Sequence, residues 1–326
     1  MKAMLVNENR DLVWTDVPDP VIGAEEVLVR IFAAGINRAD LLQRQGKYPS
    51  PKGCPEWMGL EISGEVVSVG KAVSEWKPGD RVTALLGGGG YAEYVAVKKD
   101  MLMPVPAGLS MEEAAALPEA FATSYLNLFI EGHLKAGQTA FIPAGASGLA
   151  SVAIPMAKAF GARVITSVLS DEIAGKIRHL GADVVINSTK ERVEEVLKQE
   201  EEAGHPVAVS MDCLSGETLG KSLPYMADGG YWVVISTLAG IETTVQLRPL
   251  LTKGLHLVGS MLRKRTPEFK AKLLAELVEK VWPKIEDGSI RPNVYRVLPI
   301  EQAGEAQAIL ERGENVGKVV LSVYRG

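Results

Sequence analysis

A short apolar segment, a glycine-containing turn and a helical pattern follow one another between residues 139 and 161, and this stretch constrains the fold most strongly. The apolar segment is Thr139-Ala140-Phe141-Ile142, the turn runs from Pro143 to Ala150, and the helical pattern runs from Ser151 to Gly161. A second apolar segment follows at 163–168. This order predicts two parallel strands that are joined by a crossover helix.

The turn contains Gly145 and Gly148 among other small residues. A turn of small residues at the start of a helix lets backbone N–H groups approach a diphosphate closely, and the helix dipole favours the negative charge. On its own, Gly145-x-x-Gly148 is equally consistent with a tight turn that binds nothing. Between two predicted strands the pattern favours a dinucleotide site, in which main-chain amides between Ala144 and Ala150 hold the pyrophosphate.

Length and composition restrict the class of protein. A chain of 326 residues is expected to divide into two domains. Its net charge of −5 and pI near 5.6 give no electrostatic footprint for nucleic acid. No apolar run approaches the roughly 20 residues that span a bilayer. The two cysteines, Cys54 and Cys213, fit a reducing compartment, so we expect a cytoplasmic protein without a membrane partner.

Hydrophobic patterning changes twice along the chain. Up to about Gly108, short alternating segments separated by Gly, Pro and Asp predict a β domain, packed as a sandwich or partly closed barrel. From about Phe121 to Ser260, apolar segments alternate with helical patterns, as in a doubly wound parallel sheet. The strands predicted there are 139–142, 163–168, 183–186, 207–212, 231–236 and 255–260. A periodic helix through 269–281 follows, and a last strand at 318–323 is expected to rejoin the first domain.

Several short motifs along the chain resemble those of one family. They are Gly35-Ile36-Asn37-Arg38-Ala39-Asp40, Gln43-Arg44-Gln45-Gly46-Lys47-Tyr48-Pro49, Gly59-Leu60-Glu61, Lys77-Pro78-Gly79-Asp80-Arg81-Val82, Leu117-Pro118-Glu119-Ala120, Gly259-Ser260-Met261-Leu262-Arg263 and Gly317-Lys318-Val319-Val320. Each is weak alone. Their order and spacing together resemble the zinc-independent quinone oxidoreductases of the medium-chain dehydrogenase/reductase superfamily, close to the zeta-crystallin-like NADPH:quinone reductases.

This resemblance implies an α/β fold with two domains. A GroES-like β domain is expected at 1–120 and is rejoined by 265–326, and a Rossmann domain with a doubly wound parallel sheet is expected at 121–264. The family also implies a homodimer that is joined through the last Rossmann strand, here Leu255 to Ser260. That segment would otherwise be an exposed apolar sheet edge, which proteins usually cover or pair.

The ligands of a zinc site are not evident in the sequence. Where related alcohol dehydrogenases carry Gly-His-Glu, this chain has Gly59-Leu60-Glu61, so an apolar side chain replaces an imidazole. The four histidines, His133, His179, His205 and His256, show no metal-like spacing, and no Cys-x-x-Cys occurs. Tetrahedral zinc needs clustered thiolate or imidazole ligands. We therefore expect no metal, and alcohol oxidation is disfavoured because an alkoxide would lack a Lewis acid.

Hydride transfer from a nicotinamide coenzyme is the remaining candidate chemistry. By resemblance, Asn37 and Tyr48 line the cleft beside the nicotinamide, with Tyr48 as a face for a planar acceptor and as a possible proton donor. The alternatives are a tyrosine in a Tyr-Pro turn and an asparagine that bonds its own backbone. Resemblance also assigns coenzyme contacts to Thr123, Gly145, Ala146, Ser147, Gly148, Leu149, Ala150, Val168, Leu238, Leu262 and Lys318. Thr123 has the alternative of bonding a helix carbonyl.

The choice of coenzyme is left open by the sequence. NADPH is expected first by resemblance, but NADPH-dependent members place a lysine at Ile173 and a tyrosine at Ser188, so both expected contacts to the 2′-phosphate are replaced. NADH is therefore a possible coenzyme. Asp171 and Glu172 follow the strand end at Val168, where an acid can hold a ribose hydroxyl. Their position at a helix start favours a role at its positive end instead.

Three functions are consistent with these residues. The first is reduction of quinones by NAD(P)H without zinc. The second is reduction of the C=C bond in enones or alkenals, because the same fold delivers hydride to any conjugated electrophile. The third is a catalytically weak nucleotide-binding protein, which the replacements at Ile173 and Ser188 would permit. The expected partner in the first two is a small quinone or enone.

Overall fold

The computed structural model describes residues 1–324, and the chain divides into two units. The first unit comprises Met1–Ala122, Thr266–Gly288 and Pro292–Gly326, and the second comprises Thr123–Arg265 and Ser289–Arg291. The fold is α/β, with a GroES-like β domain and a Rossmann-type parallel sheet. The domain boundaries expected from the sequence stay a prediction.

The strands and α-helices of the described residues are numbered in chain order. The strands are β1 (Lys2–Val6), β2 (Leu12–Asp16), β3 (Glu26–Gly35), β4 (Glu61–Val69), β5 (Arg81–Leu85), β6 (Tyr94–Lys98), β7 (Leu102–Pro104), β8 (Thr139–Ile142), β9 (Arg163–Val168), β10 (Val184–Asn187), β11 (Val207–Asp212), β12 (Met226–Val234), β13 (His256–Gly259), β14 (Val294–Pro299) and β15 (Lys318–Ser322). The helices are α1 (Arg38–Arg44), α2 (Met111–Ala115), α3 (Pro118–Tyr125), α4 (Ala150–Ala159), α5 (Asp171–Lys176), α6 (Val193–Glu202), α7 (Glu217–Ser222), α8 (Leu247–Thr252), α9 (Pro267–Lys280), α10 (Trp282–Glu286) and α11 (Ala303–Arg312).

The second unit is organised around a parallel six-stranded sheet in the order β10-β9-β8-β11-β12-β13. All four residues of β8 and all six of β11 are buried, as expected for strands covered on both faces. The chain runs outward from β8 to β10 and then returns to the other side at β11. The topological switch point therefore lies between β8 and β11, where ligands of such sheets bind beyond the carboxyl ends of the strands.

The first unit contains a seven-stranded sheet that is centred on β3. Residues 26–30 of β3 pair with β6, and residues 33–35 pair with β15. The opposite edge of β3 pairs with β4. Alternate side chains of β3, among them Val27, Val29 and Ile31, are fully buried. The last strand of the chain is therefore part of the same sheet as its third.

The predicted strands of the second unit are confirmed, with shifts at three of them. The strand expected at 183–186 is Val184–Asn187, and the one expected at 255–260 is His256–Gly259. The strand expected at 231–236 begins earlier, at Met226, and ends at Val234. Gly229 and Gly230 lie inside this strand, and two glycines are poor strand predictors because they lack a side chain to pack.

Within residues 1–324, every helix is too short or too polar to span a bilayer. Within the same residues, neither Cys54 nor Cys213 forms a disulfide.

A glycine at the contact between β3 and β4 gives a test of this packing. A Cβ on Gly64 would lie 2.2 Å from the Arg30 carbonyl oxygen and 2.6 Å from Val29 Cγ1. We expect Gly64→Ala to destabilise the protein by about 1–3 kcal/mol, because overpacking forces backbone shifts. Denaturant unfolding measures this change.

Gly175 provides the matched control. It lies in α5, and a Cβ there would meet no atom within 4 Å. We expect Gly175→Ala to be neutral or to stabilise by about 0.4–1 kcal/mol, because alanine restricts the unfolded chain. Equal effects of the two substitutions would contradict the close approach of β3 and β4.

Candidate active site

Some backbone amides of the turn that joins β8 to α4 donate hydrogen bonds to protein oxygens. Gly145 N–H donates to Ser167 O (2.8 Å) and Ser147 N–H donates to Ala144 O (2.8 Å). Ala150 N–H donates to Ser147 Oγ (3.1 Å). Ala144 has a φ of +56°, a left-handed conformation that is uncommon for a residue with a Cβ. These bonds hold the turn in one shape.

Three amides on the α4 side of the turn donate to no acceptor in the part of the chain that the structure describes. They belong to Ala146, Gly148 and Leu149, all of which are half-buried. They immediately precede the ten-residue helix α4, whose dipole places partial positive charge at this end. Three uncommitted N–H groups at a helix start fit the diphosphate of a dinucleotide, so the residues present suit the coenzyme predicted from the sequence.

Gly145 allows the turn to approach β9. A Cβ at this position would lie 2.5 Å from Thr166 Oγ1 and 2.9 Å from Ile177 Cδ1. The Thr166 hydroxyl is itself held by a 2.6 Å hydrogen bond to Ile142 O. Glycine is required here by close packing rather than by an unusual φ.

The residues expected near the coenzyme 2′ position lie at the end of β9. Val168 is the last residue of this strand and is buried. The Ser188 amide and hydroxyl both donate to Val168 O, at 2.9 and 3.0 Å. Ile173 is half-buried in α5. The Ser188 hydroxyl proton is thus committed to the backbone, and Ile173 offers no polar group.

Two acids occupy the first turn of α5. Ser170 caps the helix by accepting from Ile173 N–H at 3.2 Å. Asp171 accepts from Asn187 Nδ2 (2.6 Å) and from the Lys190 ammonium. The Lys190 hydrogen bond, with that of Asn187, lowers the pKa of Asp171 below its ordinary value. Asp171 therefore lies at the positive end of the α5 dipole, the role that the sequence favoured, and forms an ion pair with Lys190.

The remaining predicted coenzyme contacts of the second unit lie on three segments. Thr123 lies in α3, just before a π-helical segment at Leu126–Glu131. Asn127 Nδ2 donates to Thr123 O at 2.7 Å. Leu238 follows β12, and half of its surface is exposed. Leu262 is buried in a 3₁₀ turn after β13.

Asn37 and Lys318 are brought together in the first unit. Lys318 Nζ donates to Asn37 Oδ1 at 2.8 Å and to Ile36 O at 3.0 Å. Its third partner is Glu61 Oε1 at 2.6 Å. Asn37 Nδ2 donates to the same Glu61 oxygen at 2.9 Å. The Asn37 side chain thus bonds both members of an ion pair. All three N–H donors of Lys318 are occupied, so a coenzyme contact would replace one of these bonds.

Further carboxyl groups surround this ion pair. Glu119 N–H donates to Glu61 Oε2 at 2.9 Å. Asp40 is fully buried and accepts from Asn37 N–H (2.8 Å) and from Tyr91 OH (3.0 Å). Burial raises the pKa of Asp40 to about 6. Burial, with the carboxylate of Glu61 nearby, raises the pKa of Glu119 to about 7. Glu119 is therefore partly protonated at neutral pH.

Asp40, Glu61 and Glu119 were not predicted as site residues from the sequence. All three lie within the motifs that carry the family resemblance, and Glu61 was considered only beside the missing imidazole at Leu60. Tyr48 is half-buried in the irregular segment after α1. In residues 1–324, no group of three or more His, Cys, Asp or Glu side chains is arranged to hold a metal ion.

Comparisons with known proteins agree with this architecture. The alcohol dehydrogenase GroES-like domain family matches residues 23–107, and the zinc-binding dehydrogenase family matches residues 148–279. A quinone oxidoreductase-like protein 2 homolog from Nematostella vectensis is 33% identical, covering 98% of this chain and 88% of that protein. A quinone oxidoreductase from Sus scrofa is 29% identical, covering 94% and 92% of the two chains.

Solved structures of similar proteins have the same architecture. An NAD-dependent alcohol dehydrogenase is 29% identical with a TM-score of 0.84, covering 99% of this chain and 100% of that chain. The JamJ enoyl reductase in its apo form is 26% identical with a TM-score of 0.84, covering 99% of both chains. The chain therefore belongs to the medium-chain dehydrogenase/reductase superfamily, among its quinone oxidoreductase-like proteins, and is an oxidoreductase that uses a nicotinamide coenzyme.

Proposed function

We propose that this protein reduces quinones with NAD(P)H, without zinc. The observation that carries the proposal is the group of three uncommitted amides, Ala146, Gly148 and Leu149, at the start of α4. They would bind the coenzyme diphosphate, and Gly145, Ser147 and Ala150 would shape the turn around it. The relatives named as quinone oxidoreductases support the choice of acceptor.

The other coenzyme contacts are proposed at Thr123, Val168, Leu238 and Leu262. NADPH is proposed first, from the family resemblance of the sequence motifs, and NADH as an alternative. The preference for NADPH over NADH is proposed to be weak, because the Ser188 hydroxyl is bonded to Val168 O and Ile173 is apolar. A phosphate at the ribose 2′ position would therefore lack the lysine and tyrosine expected of NADPH-dependent relatives.

Acceptor binding is proposed at Tyr48 and Asn37. The bound coenzyme supplies a hydride, that is, two electrons and one proton. The aromatic face of Tyr48 would bind a planar quinone, and its hydroxyl would donate the second proton to the reduced oxygen. Such proton donation contributes roughly 10²–10⁴-fold to a rate. Asn37 would bind the acceptor's oxygen.

Reduction of enones is the second candidate, since an enoyl reductase has the same fold at 26% identity. Steady-state assays with either coenzyme distinguish the two. We expect turnover of 1,4-benzoquinone, naphthoquinone or phenanthrenequinone, with kcat/KM at least about tenfold above that for an enone, a difference of 1.4 kcal/mol. Tyr48→Phe should retain binding and lower kcat. Turnover of the enone alone would remove quinone reduction as the function, and turnover of neither would favour a nucleotide-binding protein.

A homodimer is proposed through β13. This strand lies at the edge of the parallel sheet, and its Leu257 is 48% exposed. Leu247, Leu251 and Met261 beside it in sequence are also exposed. An exposed apolar sheet edge is normally covered or paired, so a second copy of the chain is the expected cover.

Size-exclusion chromatography with light scattering tests the dimer. We expect the wild type to have twice the chain mass of 35.0 kDa and Leu257→Asp to be monomeric, because a charge at the edge opposes strand pairing. Val67→Asp is the matched control, since Val67 is 41% exposed on β4 of the first unit. A monomeric wild type, or a dimeric Leu257→Asp, would show that β13 does not form the interface.

A further inference from the structure

The side chain of Asn37 lies in a closed ring of three polar contacts. Lys318 Nζ donates to Asn37 Oδ1 (2.8 Å), Asn37 Nδ2 donates to Glu61 Oε1 (2.9 Å), and Lys318 Nζ contacts Glu61 Oε1 (2.6 Å). The side chains of Lys318 and Glu61 are 3% and 0% exposed. Asn37 itself is half-buried, so part of its surface remains accessible.

The ring determines the orientation of the Asn37 amide. An ammonium group can only donate hydrogen bonds, and a carboxylate can only accept them. Rotating the amide by 180° would place Nδ2 against Lys318 and Oδ1 against Glu61, with no hydrogen bond on either side. In a buried setting such unpaired contacts are costly. The ion pair therefore allows one amide orientation.

This orientation leaves one donor uncommitted. An amide nitrogen carries two hydrogens, and Glu61 accepts one of them. In residues 1–324 the other has no acceptor. Lys318, in contrast, has all three donors directed to Ile36 O, Asn37 Oδ1 and Glu61 Oε1. Of the two side chains, Asn37 is the one that can offer a hydrogen bond to a ligand without losing an existing one.

We propose that Lys318 and Glu61 are positioning residues that hold Asn37 Nδ2 to donate a hydrogen bond to the carbonyl oxygen of the acceptor. The inference rests on the proposed reductase function. A hydride from the coenzyme transfers two electrons and one proton to the quinone and leaves a negative charge on its oxygen, which then takes one further proton. A fixed donor at that oxygen stabilises the transition state without reorganisation.

A double-mutant cycle tests whether Lys318 acts through Asn37. We expect Asn37→Ala to lower kcat roughly 10²-fold, in the range for loss of one such donor. Lys318→Met should lower kcat at least about tenfold, and the double variant should be no slower than Asn37→Ala alone. Lys318→Arg should restore part of the loss. Coenzyme Kd, followed by tryptophan fluorescence, should change less than about twofold in all of them.

A direct contact between Lys318 and the coenzyme gives the opposite result. Lys318→Met would then weaken coenzyme binding, and its effect on kcat/KM would multiply with that of Asn37→Ala. Either outcome would overturn the inference while leaving the reductase proposal intact. A wild type that binds neither NADPH nor NADH would instead overturn the reductase proposal, and this inference with it.

Folding of the variants needs its own control. Removal of Lys318 alone leaves Glu61 buried and unpaired, which is strongly destabilising. If Lys318→Met does not fold, the cycle is run with Glu61→Gln/Lys318→Met, which removes both charges, and the same non-additivity is expected. Lys253→Met is the matched control, because this ammonium is also bonded to protein oxygens, Pro224 O and Met226 O, in the second unit. It should leave kcat unchanged, and a loss equal to that of Lys318→Met would contradict the inference.

Discussion

Three backbone N–H groups, at Ala146, Gly148 and Leu149, have no acceptor within residues 1–324, and the functional account depends on them. Backbone donors in folded proteins are nearly always paired with protein or water. Here the surrounding turn is fully organised, since Gly145 N–H bonds Ser167 O and Ala150 N–H bonds Ser147 Oγ. The free donors are therefore held in place by bonds made elsewhere in the turn, at the start of α4, where negative charge is favoured.

The first unit contains the opposite arrangement, a set of charged groups whose hydrogen bonds are satisfied internally. Lys318 and Glu61 are both buried, and each bonds Asn37. Burying an ion pair gives little net stability, because desolvation offsets the attraction. Its effect here is on geometry, since it determines which way the Asn37 amide faces. Burial raises the pKa values of both Asp40 and Glu119, and the nearby Glu61 carboxylate raises that of Glu119 further.

The sequence predicted what local patterns determine. The strand, turn and helix from Thr139 to Ala159 appear as expected, because glycine spacing and apolar periodicity are local properties. The early start of β12 at Met226 was missed, since Gly229 and Gly230 hide the strand. The ring around Asn37 was also missed. Its partner Lys318 is 281 positions away in the sequence. Hydrophobic periodicity does not predict which polar residues come into contact at such a separation.

One measurement tests the central claim directly: the Kd of NADPH and of NADH for Leu149→Pro beside Leu149→Ala. Proline removes the amide hydrogen, and the Leu149 φ of −72° already suits its ring. Alanine keeps the amide hydrogen and removes the side-chain atoms beyond Cβ. Since a hydrogen bond to a charged group contributes about 1.5–3 kcal/mol, we predict roughly 10- to 100-fold weaker binding of both coenzymes to Leu149→Pro than to Leu149→Ala. Equal affinities would show that this amide does not bind the coenzyme diphosphate.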